Sequence, residues 1–325
     1  MIEQKQNYQL YHGDCLEIMP QLIEDSVKVD FILTDVPYGT VNGMMLDGWK
    51  SHTVKWDECI PTEEMFNCCE KLLRVNGHLI LFSQEKYTSY LRQYNFPNLP
   101  FAYPYYWEKD HFANSLTCKK APVSYMEDLS VFRKKYDSDS SHPLRVYAQE
   151  LLNQMGVTFK QIERQLGHRK AEHFFYSNNA SQFGLCTEQT YLELINEYHI
   201  NELPCFKPYV ELQEIDMKFK PIFNLNGENT KGNILKYKKP YNYFHPTEKP
   251  VDLLEDLIKT YTHEGDLVLD FTMGSGSTGV ACMNLNRKFI GIELEEKYYN
   301  IAEQRLKEAT QSKQTTLSLW CGGDD

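Results

Sequence analysis

No stretch of this 325-residue chain approaches the ~18 consecutive apolar residues that a membrane-spanning helix needs. The opening MIEQKQNYQLYHGD lacks a basic segment followed by an apolar core, so a secretory signal is not expected. The nine cysteines contain no CxxC pair and no repeated spacing, which argues against a disulfide framework or a zinc cluster and fits reduced thiols in the cytoplasm. There is no internal repeat. Positive charge is short: the formal net charge of −11 argues against indiscriminate binding to nucleic acid. The shortage is uneven. Residues 1–100 carry 8 Lys/Arg against 14 Asp/Glu and 251–325 carry 7 against 13, whereas 131–250 carry 16 against 14. A polyanionic partner is therefore expected to meet the middle of the chain, although solvated helix faces produce such clusters too.

What the chain does have is alternation. From about residue 27 to 134, strand-like runs (VDFILTD 29–35, HLILFS 78–83, DLSVF 128–132) flank a helical pattern, TEEMFNCCEKLLR 62–74, with Thr62 as its candidate N-cap. From 250 the pattern returns: a helix opened by Pro250, strand LVLDF, helix STGVACMNLN, strand KFIGIE, and helix EEKYYNIAEQRLKEA. Strands alternating with helices imply parallel βαβ units. The stretch between differs. RVYAQELLNQMGVTFKQIERQLGH (145–168) reads as two helices broken at Gly156 with helix-turn-helix spacing, TEQTYLELINEYH (187–199) is a further helix, and 205–244 shows no clear period. The expected architecture is a Rossmann-like, doubly wound, mostly parallel α/β sheet over 1–134 and 245–310. A largely helical insert at 135–244 and a loose polar tail at 311–325 complete it.

Two strand tips carry chemistry. TDVPYGT (34–40) ends a buried-looking strand in a carboxylate, Asp35, then Val36, Pro37 and the flat ring of Tyr38. LVLDFTMGSGSTGVA (267–281) is strand, glycine turn, helix, with Gly274 and Gly276 placed to let backbone approach a ligand, and Glu293 ends the next strand where it can bind ribose hydroxyls. G-x-G-x-x-G alone also suits a nicotinamide oxidoreductase. Asp270 before the turn disfavours that reading, because a carboxylate repels a pyrophosphate and attracts a cation such as S-adenosylmethionine. Taken singly, Asp35–Gly39 is equally an ordinary turn, and Asp14 equally a helix cap.

In this order, HGDC (12–15), DVPYG (35–39), HPTEKP (245–250) and DFTMGSGSTG (270–279) resemble the β group of amino-methylating DNA methyltransferases. That resemblance implies S-adenosylmethionine as cofactor, held by Asp14, Thr247, Lys249, Pro250, Asp270, Phe271, Gly274, Gly276, Thr278 and Glu293. It implies a catalytic tip of Asp35, Val36, Pro37 and Tyr38: the Asp35 carboxylate and Val36 carbonyl accept from an exocyclic amine, and Tyr38 stacks on a base flipped from double-stranded DNA. The family usually has proline where this chain has Val36, which keeps the carbonyl and loses the ring's rigidity. The insert, through GHRKAEHFF (167–175), resembles those of some phage-type members and is expected to recognise the target. Arg164, His168, Arg169, Lys170, Lys236, Lys238 and Lys239 are its candidate DNA contacts. Adenine N6 is the preferred target because Asp opens the tip motif. Cytosine N4 shares the chemistry, and a catalytically silent DNA-binding relative is the alternative should Val36 disable the tip. No metal is expected. A homodimer, a cognate restriction endonuclease and the DNA sequence recognised are left open.

Overall fold

The computed structural model describes residues 7–37, 59–113, 118–120, 122–135, 142–175, 183–239, 244 and 248–321. These form two compact units, Met1–Lys134 with Ile222–Asp325, and Lys135–Pro221.

The first unit is built on an eight-stranded sheet: β1 (Tyr8–His12), β2 (Val29–Asp35), β3 (Leu73–Ser83), β4 (Phe101–Ala113), β5 (Ser124–Arg133), β6 (Ile234–Lys236), β7 (Leu267–Asp270) and β8 (Lys288–Glu293). Its order is β1-β8-β7-β2-β3-β5-β4-β6. Five of the seven neighbouring pairs are parallel; β5 runs antiparallel to β3 and to β4. One face is covered by α1 (Cys15–Glu24) and α2 (Thr62–Leu72), whose Met19, Leu22, Met65 and Phe66 pack with Ile32, Leu79, Leu81 and Leu269. Helix α3 (Tyr87–Gln93) adds Leu91 there. The other face buries Phe31, Leu33 and Ile80 against α9 (Val251–Tyr261), α10 (Ser277–Asn284) and α11 (Glu296–Cys321). Nearly uninterrupted apolar runs such as VDFIL follow from this covering of both faces.

The second unit has its own core around Leu144, Leu151, Ile162, Phe174, Tyr191, Leu194 and Leu212. Helices α4 (Pro143–Met155) and α5 (Phe159–Leu166) are separated at Gly156, whose φ of +66° ends α4, and Gln161 accepts the Thr158 N–H at 2.8 Å to open α5. Helices α6 (Glu172–Phe175), α7 (Glu188–Tyr198) and α8 (Tyr209–Phe219) complete it.

Four expectations need correction. The insert was expected to run to 244, but the second unit closes at Pro221, because β6 pairs with β4 and brings 222–239 back into the sheet unit. The tail expected from 311 is helical through Cys321, as no proline or glycine interrupts α11 before Gly322. Pro61 rather than Thr62 occupies the N-cap of α2. The aperiodic stretch 205–244 contains both α8 and β6.

Candidate active site

Strands β2 and β7 lie side by side and parallel, and their chains continue to opposite faces: β2 toward α2, β7 directly into α10. Such a switch point leaves a crevice at the carboxyl ends of the two strands. Both motifs end there. Asp270 joins them: its carboxylate accepts from Thr34 Oγ1 at 2.8 Å, from Thr278 Oγ1 at 2.6 Å and from Thr272 N at 3.2 Å. Thr272 Oγ1 donates in turn to the Asp35 carbonyl at 3.1 Å. Burial pushes Asp270 up to about 6 in spite of these donors. Asp270 and Thr278 therefore act from behind the turn, locking one strand tip to the other.

Gly276 also has a packing role. Its φ is +81°, and an added Cβ would lie 2.8 Å from the Ala302 Cβ, so this glycine serves the close packing of α10 on α11. Gly274, at φ +52°, presents its N–H to Glu293 Oε2 at 2.8 Å, while Glu293 Oε1 accepts the Glu295 N–H at 2.8 Å. Burial raises Glu293 above the usual carboxylate range against these two backbone donors. Asp14 caps α1, accepting the Leu16 N–H at 2.8 Å. Phe271 is buried in the core beneath the turn.

At the other tip, Val36 is 1 % exposed and packed among the α1 and α2 side chains, so packing restrains the position where the resembled family has a proline ring. Pro37 follows it, half-buried. Asp35 Oδ2 is 2.6 Å from Lys249 Nζ, and its Oδ1 is buried with no hydrogen-bond partner among the described residues. Lys249, expected on the cofactor side, thus stands on the Asp35 side, where it also meets Glu127 Oε1 at 2.8 Å. Glu127 and Lys109, which pair with each other at 2.5 Å, were not anticipated. The available signal was an acid and a base placed amid apolar and aromatic residues in SYMEDLSVF and YYWEKD. Neighbouring Glu248 accepts from Ser275 at 3.2 Å, Ser277 at 3.0 Å and Arg305 at 2.9 Å, fastening the segment before α9 to the glycine turn. Pro250 caps α9. Tyr38 and Thr247 lie outside the described residues.

The expected DNA contacts separate between the two units. In the second, Arg164 and Lys170 are exposed, His168 pairs with Glu193 at 2.8 Å, and Arg169 bonds Glu163 and Glu172 at 3.3 and 2.6 Å. That unit carries nine Lys/Arg against twelve Asp/Glu, so the positive excess of the middle region is not on it. The excess lies in 222–250, five against two, with four of the five on and after β6. There Lys236 and Lys238 are exposed, Lys236 lying 3.2 Å from Glu108, while Lys239 is half-buried. Burial and the ammonium groups of Lys109 and Lys249 lower Lys239.

A strand-tip carboxylate beside a glycine turn at the switch point of a doubly wound sheet is the layout of a class I methyltransferase fold. Structural comparison agrees: the M1.HpyAVI–SAM complex superposes with a TM-score of 0.55 at 23 % identity, covering 92 % of this chain and all of that one. The family model for N6/N4 DNA methylases matches residues 29–304, and the chain belongs to that family. Among curated relatives, the type II methyltransferase M2.DpnII of Streptococcus pneumoniae is 46 % identical over 76 residues, 23 % of this chain and 28 % of that protein. M.HpaI of Haemophilus parainfluenzae is 44 % identical over 71 residues, 22 % and 21 % of the two chains. The matched regions thus span under a third of these relatives' own lengths.

Proposed function

We propose that this chain transfers a methyl group from S-adenosylmethionine to the exocyclic N6 of adenine in double-stranded DNA, as the methylating partner of a restriction–modification pair or on its own. The observation that carries the reading is Asp35 Oδ1. It has no hydrogen-bond partner among the described residues; leaving a buried carboxylate oxygen unsatisfied is expensive, about 1–3 kcal/mol or more, and such atoms in native proteins call for an explanation. An amine donating to Oδ1 and to the Val36 carbonyl would have its lone pair directed away from both. Tyr38 stacks on the flipped base. The turn suits the cofactor. Its carboxylates, Glu293 and Asp270, disfavour a pyrophosphate and suit a cation, leaving Gly274, Glu293 and Asp14 for direct contact. S-adenosylmethionine supplies an electrophilic methyl group on a sulfonium. No strong base is needed, since alignment and a preorganised field provide most of the acceleration.

The test is to incubate the protein with unmethylated phage DNA and the cofactor, digest to nucleosides and identify the modified base by mass. N6-methyl-2′-deoxyadenosine is expected. N4-methyl-2′-deoxycytidine would move the target to cytosine, and cofactor binding without any methylated base would indicate a silent DNA-binding relative.

If Glu293 holds the ribose hydroxyls, Glu293→Ala weakens cofactor binding by roughly 1.5–3 kcal/mol in calorimetry, the worth of a hydrogen bond to a charged group. DNA phosphates are expected to meet the exposed lysines at the end of β6 and just after it, Lys236 and Lys238. Neutralising Lys236 and Lys238 weakens binding to all DNA sequences alike and lowers the salt slope by roughly two, one for each lost phosphate contact. An unchanged slope in a salt titration would place the phosphates elsewhere.

A further inference from the structure

Four charges, three of them buried and the fourth, Asp35, half-buried, form a line that ends at the proposed amine site. Asp35 comes from the end of β2, Lys249 from the residues before α9, Glu127 from β5 and Lys109 from β4. Lys249 Nζ lies 2.6 Å from Asp35 Oδ2 and 2.8 Å from Glu127 Oε1, and Glu127 Oε2 lies 2.5 Å from Lys109 Nζ. The Lys249, Glu127 and Lys109 side chains are 7 %, 4 % and 6 % exposed, so water screens none of them well. Aromatic faces close the line: Lys249 sits 5.1 Å from the Phe82 ring centroid and Lys109 4.8 Å from that of Trp107.

Stability alone gives little reason for this arrangement. Desolvating each ion costs several kcal/mol, and well-packed apolar replacements of buried ion pairs are often no less stable. The signs alternate and cancel, and the terminal carboxylate has one oxygen engaged and one without a hydrogen-bond partner among the described residues. We propose that Lys249 is a positioning residue for the methyl-transfer reaction, one that engages Asp35 Oδ2 with its ammonium and leaves Oδ1 to accept from the target amine. Glu127 and Lys109 hold Lys249 in place and balance its charge. The inference rests on the proposed function, with Asp35 as the amine's acceptor.

The charges around Asp35 set the sign of every expected shift. Burial pushes Asp35 upward; Lys249 opposes it, Glu127 adds to it, and Lys109 opposes it more weakly. Asp270 on β7 and half-buried Lys239 after β6 complete the charged surroundings. Burial would lower Lys249, but the two carboxylates outweigh it and raise it. Glu127 is held below the usual range by its two ammonium neighbours despite its burial.

Removing the ammonium and removing the second carboxylate should therefore move Asp35 in opposite directions. The measurement is the pH profile of single-turnover methyl transfer from tritiated S-adenosylmethionine to unmethylated phage DNA, with cofactor binding by calorimetry in parallel. Lys249→Met shifts the acid limb up by about one unit or more, the effect of losing an adjacent opposite charge, with activity recovering toward high pH. Lys249→Arg leaves the limb near its wild-type position, and Glu127→Gln moves it down. Cofactor affinity stays unchanged in all three, which separates this role from direct cofactor binding. Should Lys249→Met fail to fold, the nearly isosteric Glu127→Gln carries the test. An active wild type whose variants are slower with unmoved limbs would overturn the proposal, since a purely structural role lowers the rate without moving the profile. A wild type inactive at every pH would instead overturn the function on which it rests.

Discussion

Asp35→Ala lowers methyl transfer by about a hundred- to a thousandfold and leaves S-adenosylmethionine affinity where it was. The magnitude is that of removing one preorganised electrostatic contact to a reacting group, ~2.7–4 kcal/mol in the transition state. The separation of the two effects follows from position. Asp35 closes β2, while the glycine turn follows β7, and the hydrogen bonds between the two tips run through Thr34, Thr272 and the Asp35 backbone carbonyl, all of which alanine retains. A tritium-transfer assay gives the rate and calorimetry the affinity. Near wild-type turnover would remove Asp35 from the reaction. A matching loss of cofactor affinity would place it on the donor side instead.

Gly276→Ala is the second large effect, and it falls on stability. Two costs add. A non-glycine residue at the observed φ of +81° costs roughly 1–2 kcal/mol. A methyl group 2.8 Å from the Ala302 Cβ and 3.1 Å from its Cα forces α10 and α11 apart, which adds roughly 1–3 kcal/mol. A total of about 2–5 kcal/mol lowers the melting temperature by roughly 5–15 °C for a domain of this size, read by scanning calorimetry with and without cofactor. The expected loss is present in the free protein. Were Gly276 needed only for approach to the ligand, the free protein's melting temperature would not move and only the stabilisation by cofactor would shrink.

That contrast shows what the amino-acid string can and cannot reveal. The tips of β2 and β7 were legible because each combines a period change with residues of special geometry: VDFIL running into Asp-Val-Pro, LVLDF into glycines. Motif order then pointed to the family to which the chain belongs. Strand β4 was missed, because Pro104 and its dense aromatics look unlike a strand; antiparallel pairing with β5 accommodates it, Pro104 lying opposite Ser130. Strand β6 is three residues long and has no period to read, so the insert's end was placed too late and the lysines around it were assigned to the wrong unit. The charge line Asp35–Lys249–Glu127–Lys109 was illegible for another reason. Its members are up to 214 residues apart, and Glu127 and Lys109 look like ordinary surface residues until the fold brings them to Lys249 and Asp35. Lys249 in particular carries the resembled motif, yet nothing local shows which of two neighbouring sites its ammonium faces.

The sheet order also bears on synthesis. Strand β2 has β3 on one side from early in the chain, but its other neighbour, β7, begins at Leu267, and edge strand β1 pairs with β8, which begins at Lys288. A ribosome that has delivered everything through β6 has exposed a strand edge on β2, and β1 has no strand to join. At about 5–20 residues per second, the interval between β2 and β7 lasts on the order of 10–50 seconds, during which the edge is open to mispairing. The same order delays assembly of the two strand tips: Asp35 emerges among the first strands, yet Lys249 and Asp270 reach it only near the end of translation, so a chain released early by a premature stop carries Asp35 without either of them.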